Sequence, residues 1–319
     1  MITVTEFSPE IDEIYKLRSL KAGEENSVKE YKIEVSGKGI KIGKNLKVLK
    51  AEPYIVGCLG GYSGKIIRSD LNKLKIKSDF VWLDGEVKLN SKLMLGNEIF
   101  TLVKEEPDID EAKTRQVVRK TLNKIKDSSV IVMTETLPAT LHYHIYKKII
   151  KDARKYNVKS IVELSKDTYK LIDSNPYLIF AKEENLNLLN VREGHLIDDL
   201  LSYIKDGIHY IVVKMKDNST VVISKNQVFK ADIENFVAEF PSAEGVKEAY
   251  MAGLAFSLEK KYEMEKMIKL AAAMEYSVLT TGEKVVNNAE VRKLYKKVKI
   301  DKIHNKEEVK ELIRGYCDV

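Results

Sequence analysis

The stretch YIVGCLGGYSGKI, residues 54–66, decides the fold. It begins with a short run of apolar and β-branched residues, which is typical of a strand covered on both faces. Closely spaced glycines follow at Gly57, Gly60, Gly61 and Gly64, and a helix is predicted over 62–75. A buried strand that leads through a glycine-rich turn into a helix is the repeating unit of a parallel α/β sheet.

The same alternation continues on both sides of this stretch. Further short apolar strands are predicted at residues 1–5, 129–133, 159–163, 176–180 and 209–213. Helices are predicted between them at 38–50, 109–126, 139–156 and 193–205. Strands that alternate with helices in this way predict an α/β fold with a mainly parallel sheet covered on both faces.

Two segments interrupt the alternation with period-two patterning and no helix. Residues 12–36 and 78–102 have the pattern of antiparallel hairpins, with Asp84-Gly85 and Gly96-Asn97 as turns. We predict that they form a small antiparallel lid over the strand ends, inserted into a single domain spanning residues 1–319.

The C-terminal part has a different order of elements. A hairpin is predicted at 219–231, followed by helices at 245–258, 262–278 and 287–297, and 305–314 has a helical pattern.

Composition restricts the class of protein. The chain has 319 residues, 44% hydrophobic and 32% charged, and its 54 Lys+Arg against 48 Asp+Glu leave a net charge of +6. This excess is spread along the chain, whereas a nucleic-acid surface would concentrate it on one face, so no nucleic-acid partner is expected. No apolar run approaches the about 20 residues that span a bilayer, so no membrane partner is expected.

Cysteine and histidine usage argues against metal and disulfide sites. Cys58 and Cys317 are too few for a disulfide scaffold, and the five histidines lack zinc-ligand spacing, so no metal site is predicted. The N-terminal MITVTEFSPEIDE has neither a basic nor an apolar targeting region. We therefore expect no signal peptide and a cytoplasmic location.

A phosphate site is predicted where a helix begins at residue 38. Gly37-Lys38-Gly39 would offer backbone N–H groups and one cation to an anion. Lys88, in the predicted lid, would supply a second positive charge. The alternative is that Lys38 and Lys88 are ordinary surface lysines of a lysine-rich chain, and their spacing alone does not decide between the two.

Several short motifs follow one another in an order that resembles one enzyme family. They are Ser8-Pro9-Glu10-Ile11-Asp12, Ser36-Gly37-Lys38-Gly39-Ile40-Lys41, the four glycines above, Gly85-Glu86-Val87-Lys88-Leu89-Asn90 and Thr134-Glu135-Thr136-Leu137-Pro138. In residues 1–297 the chain resembles the ribokinase/PfkB carbohydrate kinases, most of all their 1-phosphofructokinase and tagatose-6-phosphate kinase branch. The resemblance implies a ribokinase-like fold, a phosphosugar ligand, and Mg-ATP as the cofactor of an active enzyme. It also implies substrate contacts from Asp12, Gly37, Lys38, Gly39, Lys41, Lys88 and Asn90.

The nucleotide-side motifs depart from the family pattern. In place of the family's G-A-G-D the chain has Gly245-Val246-Lys247-Glu248, so Glu248 stands at the position of the catalytic base. The resemblance places the remaining nucleotide-side positions at Lys182, Asn185, Lys214, Asn218, Gly245 and Lys247, with no glycine left in 214–219. The central glycine of the family's S-G-S is Glu135, a carboxylate where anionic ligands would lie.

Three functional hypotheses follow. Scaffold glycines persist while positions for ATP, metal and proton transfer are altered, which favours a catalytically impaired or non-catalytic homologue with a phosphosugar-binding or regulatory role. The alternative is an active ATP-dependent phosphosugar kinase that uses Glu248 as the base toward a sugar phosphate hydroxyl. A third hypothesis is an assembly protein that forms a homodimer through the open edges of its lid.

Overall fold

The computed structural model describes residues 1–189, 196–205 and 207–303. The strands are β1 (Ile2–Glu6), β2 (Glu10–Leu17), β3 (Val28–Ser36), β4 (Pro53–Gly60), β5 (Lys77–Leu83), β6 (Lys88–Leu95), β7 (Glu98–Lys104), β8 (Val130–Met133), β9 (Lys159–Glu163), β10 (Leu178–Lys182), β11 (Tyr210–Lys214), β12 (Thr220–Ile223), β13 (Val228–Asp232) and β14 (Lys299–Ile303). The helices are α1 (Lys38–Val48), α2 (Gly61–Lys73), α3 (Glu111–Ile125), α4 (His144–Lys155), α5 (Leu196–Lys205), α6 (Val246–Glu259), α7 (Met264–Thr281) and α8 (Asn288–Tyr295). Short 3₁₀ helices lie at Tyr169–Ser174 and Glu183–Leu189.

A ten-stranded sheet forms the body, in the order β14-β13-β12-β11-β10-β9-β8-β1-β4-β5. The pairs from β11 to β5 are parallel, whereas β12, β13 and β14 add antiparallel strands at one edge. This confirms the predicted α/β fold with a mainly parallel sheet.

Helices cover both faces of the sheet, and side chains alternate between the two faces along each strand, so successive residues are buried in different cores. In β8, Val130 and Val132 join the core beneath α1, α6 and α7, whereas Ile131 and Met133 join the core beneath α3 and α4. The apolar pattern that predicted doubly covered strands therefore has its expected cause. With parallel strands covered in this way, the carboxyl strand ends are left to form a site.

A second sheet of four strands, β3-β2-β6-β7, forms the lid. Its outer pairs are antiparallel, and its central pair β2–β6 is parallel. The turn at Gly96-Asn97 joins β6 to β7 as predicted.

The predicted lid segment 78–102 starts too early. Strand β5 pairs with β4 in the large sheet, so Asp84-Gly85 connects the body to the lid instead of closing a hairpin. The edge strand β5 is only half buried, which gives it the alternating pattern of a lid strand. The single-domain organisation stays a prediction.

The C-terminal elements follow their predicted order. Helices α6 and α7 approach so closely that a Cβ on Gly253 would lie 2.6 Å from the Cα of Ala271. The helical pattern at 305–314 lies outside the described residues, as does the start of the helix predicted at 193–205. None of the helices in the described part of the chain is long and apolar enough to cross a membrane.

Candidate functional site

A cleft of about 440 Å³ lies at the carboxyl ends of β10 and β11, beside the start of α6. It brings together seven of the predicted site residues: Lys41, Lys182, Lys214, Asn218, Gly245, Lys247 and Glu248. Gly245 begins α6 with a φ of 96°, and a Cβ there would lie 2.7 Å from the carbonyl oxygen of Lys284, so only glycine fits without strain.

Two backbone N–H groups at the N-terminus of α1 are engaged by the chain itself, and the phosphate site expected at Gly37-Lys38-Gly39 stays a prediction. The backbone N–H groups of Gly39 and Ile40 donate to the buried Glu6 carboxylate, at 3.0 Å for Ile40. A Cβ on Gly37 would lie 2.6 Å from Glu6 Oε2. Burial raises the pKa of Glu6 to about 7, against the lowering effect of the Ile40 N–H. An internal carboxylate thus occupies this anion position.

The N-terminus of α6 is crossed by a network of two lysines and two glutamates. Lys247 Nζ lies 2.9 Å from Glu135 Oε1 and 2.6 Å from Glu163 Oε1. Lys38 pairs with the same oxygen of Glu135. The Glu135 N–H donates to Glu163 Oε2 at 3.2 Å. Both Lys38 and Lys247 are therefore paired with a carboxylate of the chain itself. We refer to these four residues as the α6 network.

The α6 network shifts the protonation equilibria of its members. Burial raises the pKa of Glu135, but the ammonium groups of Lys247 and Lys38 outweigh burial and bring it to about 2. Burial lowers the pKa of Lys247, while Glu163 and Glu135 raise it above its usual value. At neutral pH Glu135 and Lys247 are therefore both charged.

Glu248 lies in the first turn of α6, on the wall of the cleft. Its side chain is buried, and within the described residues it has no hydrogen-bond or ion-pair partner. A carboxylate without a partner is free to accept a proton from a ligand hydroxyl. The position therefore suits the base that the resemblance assigns to it.

Asp12 and Asn90 meet in the lid, on neighbouring strands β2 and β6. Asn90 Nδ2 donates to Asp12 Oδ1 at 3.0 Å and to Glu10 Oε2 at 2.6 Å. Asp12 Oδ2 is paired with Lys284 at 2.8 Å and with Lys92 at 3.3 Å. Burial raises the pKa of Asp12, but the hydrogen bonds from Lys284 and Asn90 outweigh it and lower the pKa. The sequence did not identify Lys92 or Lys284.

Lys88 lies apart from this group. It lines a separate cavity of about 670 Å³ with Ser8, Thr136 and Pro138, and its Nζ is 4.0 Å from Glu105. Lys38 is not among the residues that line this cavity.

Two predicted nucleotide residues serve the scaffold. Asn185 is not among the cleft residues and donates from Nδ2 to the Leu164 carbonyl oxygen at 3.0 Å. Lys214 reaches the cleft, but its ammonium group is held by the buried Glu275 at 2.9 Å and by the Asn218 carbonyl. Both side chains thus make contacts within the chain, and their predicted contact with a nucleotide stays a prediction.

Sequence patterns indicate the remaining charged residues only in part. Glu6 and Glu163 are carboxylates at the carboxyl ends of largely buried strands, and polar side chains at this edge of a parallel sheet mark ligand sites. Lys284 contacts Asp12 across 272 positions of sequence, and no local pattern connects such a pair.

Two carboxylates lie at the start of α6, where the resemblance places the nucleotide phosphates. Phosphate oxygens would face the Glu135 and Glu163 carboxylates, which already hold Lys247. In the described residues, no group of three or more His, Cys, Asp or Glu is arranged to hold a metal ion.

Comparisons with known proteins identify a single family. The pattern described as pfkB family carbohydrate kinase matches residues 5–288. The 1-phosphofructokinase of Borreliella burgdorferi is 24% identical over 95% of this chain and 99% of its own length. That of Bacillus subtilis is 19% identical over 95% and 100%. The structure of phosphofructokinase-2 from Escherichia coli in complex with potassium has a TM-score of 0.80 at 17% identity, covering 92% of this chain and 98% of that one.

Proposed function

We propose that this chain, which belongs to the pfkB family of carbohydrate kinases, is a 1-phosphofructokinase-like homologue. We further propose that its phosphoryl transfer is impaired. The role that it retains is phosphosugar binding or regulation. The fold and the phosphosugar-kinase relatives support the ligand class, and the α6 network supports the impairment.

The observation that carries the proposal is the ion pair between Glu135 and Lys247 at 2.9 Å. Both residues stand where the family pattern has glycine, 112 positions apart, and they neutralise each other. A glycine at each position would leave the α6 N–H groups open to an anion. The pair instead places two side chains there, which opposes a phosphoryl group by volume and leaves the Lys247 ammonium group already paired.

Steady-state kinetics tests the proposal. Fructose 1-phosphate and tagatose 6-phosphate are each offered with Mg-ATP, and ADP release is followed. We expect turnover far below the about 1–100 s⁻¹ of ordinary kinases. The double variant Glu135→Gly/Lys247→Gly should turn over faster than the native chain, and the single variants should not. Native turnover within the ordinary range contradicts the proposal.

A second candidate function, an active phosphosugar kinase, is favoured by Glu248, which is buried on the cleft wall without a partner. If the native chain turns over, Glu248→Gln should abolish the activity because the amide cannot accept the proton. The matched control is Glu265→Gln, which changes an exposed acid in the first turn of α7 and should leave turnover unchanged. Equal activity of both variants removes Glu248 from the mechanism.

A homodimer through the lid is proposed for the assembled protein. Every residue of the outer strand β7 is exposed, including Ile99, Phe100, Leu102 and Val103. Exposed apolar residues on an open strand edge favour pairing with another chain, and a second copy offers the same edge. Sedimentation at micromolar concentration should give a dimer, and Leu102→Asp should give a monomer. A monomeric native chain contradicts this assembly.

A further inference from the structure

Three lysines from three separate elements converge on the Glu244 carboxylate. Lys92 Nζ of β6 lies 2.8 Å from Glu244 Oε1. Lys284 Nζ, in the segment between α7 and α8, lies 2.9 Å from Oε2, and Lys41 Nζ of α1 lies 3.8 Å from the same atom. Their ammonium groups thus surround one carboxylate at the junction of the lid and the body.

Two of these lysines, Lys92 and Lys284, are held in place independently of Glu244. Lys92 and Lys284 both contact Asp12 Oδ2, which is 2% exposed, and Lys284 also lies 2.9 Å from Glu34. All three lysine side chains are mostly buried. The charges of Lys92 and Lys284 are therefore positioned by the scaffold, which is the preorganisation that an anion site requires, and the buried Lys41 adds a third charge beside them.

Glu244 differs from the other carboxylates of this cluster. Its side chain is 45% exposed, and it lies in the segment between β13 and α6, outside any helix or strand. Burial raises its pKa, but hydrogen bonds from Lys92 and Lys284 outweigh burial and bring it to about 2. It is a charged, half-exposed occupant on irregular backbone, whereas Asp12 is fixed in a strand.

We propose that Lys41, Lys92 and Lys284 form a binding site for the phosphate group of a ligand, which displaces Glu244. The three ammonium groups would then face Asp12, Glu34 and the ligand oxyanion, so their charge stays compensated. In this arrangement Glu244 is an internal competitor that joins the lid to the body. The inference rests on the proposed function for its ligand class, a phosphosugar, and moves the phosphate away from the Glu6-filled start of α1.

Calorimetric titration of the full chain with inorganic phosphate at low ionic strength tests the site. Glu244→Gln keeps the shape of the side chain and removes its charge, so we expect phosphate to bind about tenfold tighter or more than to the native chain. Glu239→Gln is the matched control, because Glu239 is an exposed acid of the same segment without a contact to the three lysines. It should bind as the native chain does.

Removing a lysine should reverse the gain. Lys284→Met and Lys92→Met, each combined with Glu244→Gln, should return phosphate affinity to the native level or below. Either lysine variant suffices if the other fails to fold by circular dichroism. The inference is overturned if Glu244→Gln and the native chain bind phosphate with equal affinity. It is also overturned if the Lys284→Met or the Lys92→Met double variant binds phosphate as tightly as Glu244→Gln alone. This titration contains no nucleotide and therefore does not depend on catalysis. Rapid turnover in the kinetic assay with Mg-ATP would refute the proposed function but would not change the phosphate affinities measured here.

Discussion

Replacing Lys247 with Met should destabilise the protein strongly, because it removes one partner of a buried ion pair. Glu163 is 4% exposed and loses its 2.6 Å contact with the ammonium group, keeping only the Glu135 N–H as donor. Glu135 still has Lys38. Breaking a buried pair from one side costs about 3–5 kcal/mol, since an uncompensated charge stays in the interior.

Urea denaturation at pH 7 measures this loss. The free energy of unfolding should fall by about 3–5 kcal/mol for Lys247→Met. The matched control, Lys65→Met, changes an exposed lysine of α2 without a partner and should stay within about 0.5 kcal/mol of the native chain. The double variant Lys247→Met/Glu163→Gln should recover part of the loss. A change below about 1 kcal/mol for Lys247→Met would refute the reasoning.

Three further outcomes follow from the structure. The pKa of Glu6 is raised from 4.5 to about 7, so the free energy of unfolding should fall by about 3 kcal/mol as the pH rises from 4.5 to 7. Thermal melts at several pH values measure this fall, and Glu6→Gln should make the melting temperature depend less on pH in that range. The pKa of Glu135 is lowered from 4.5 to about 2, so its contribution is present above pH 4.5 and is lost toward pH 2; Glu135→Gln should remove that part of the acid titration. Gly253→Ala should lower the melting temperature, because its Cβ meets Ala271 and overpacking costs about 1–3 kcal/mol; an unchanged melt contradicts this contact.

The elements of the body could be predicted from sequence because their patterns have local causes. The strand at residues 54–58 and the glycines after it report a buried strand and a tight turn in consecutive positions. The lid boundary failed at β5, since a half-buried edge strand of the body and a lid strand share one period-two pattern. Patterning reports how much of a strand is covered, not which sheet it joins.

The candidate site was predictable only where a motif reports it. Glu248 lies on the cleft wall, as the motif order implied. Lys92 and Lys284 were not predicted, because their ion pairs join residues that are far apart in sequence and no local pattern indicates such a contact. The sequence pattern predicted correctly that a helix begins after Gly37. The Glu6 carboxylate at the start of this helix could not be predicted, because it depends on packing between two separate segments.

Calorimetric titration with Mg-ATP tests most directly the claim that the α6 network closes the phosphoryl-transfer site. The native chain and the Glu135→Gly/Lys247→Gly variant are titrated side by side, each with and without fructose 1-phosphate. We expect no saturable nucleotide binding by the native chain up to millimolar Mg-ATP, and measurable binding by the double variant. Saturable binding by the native chain, equal to that of the variant, would contradict it.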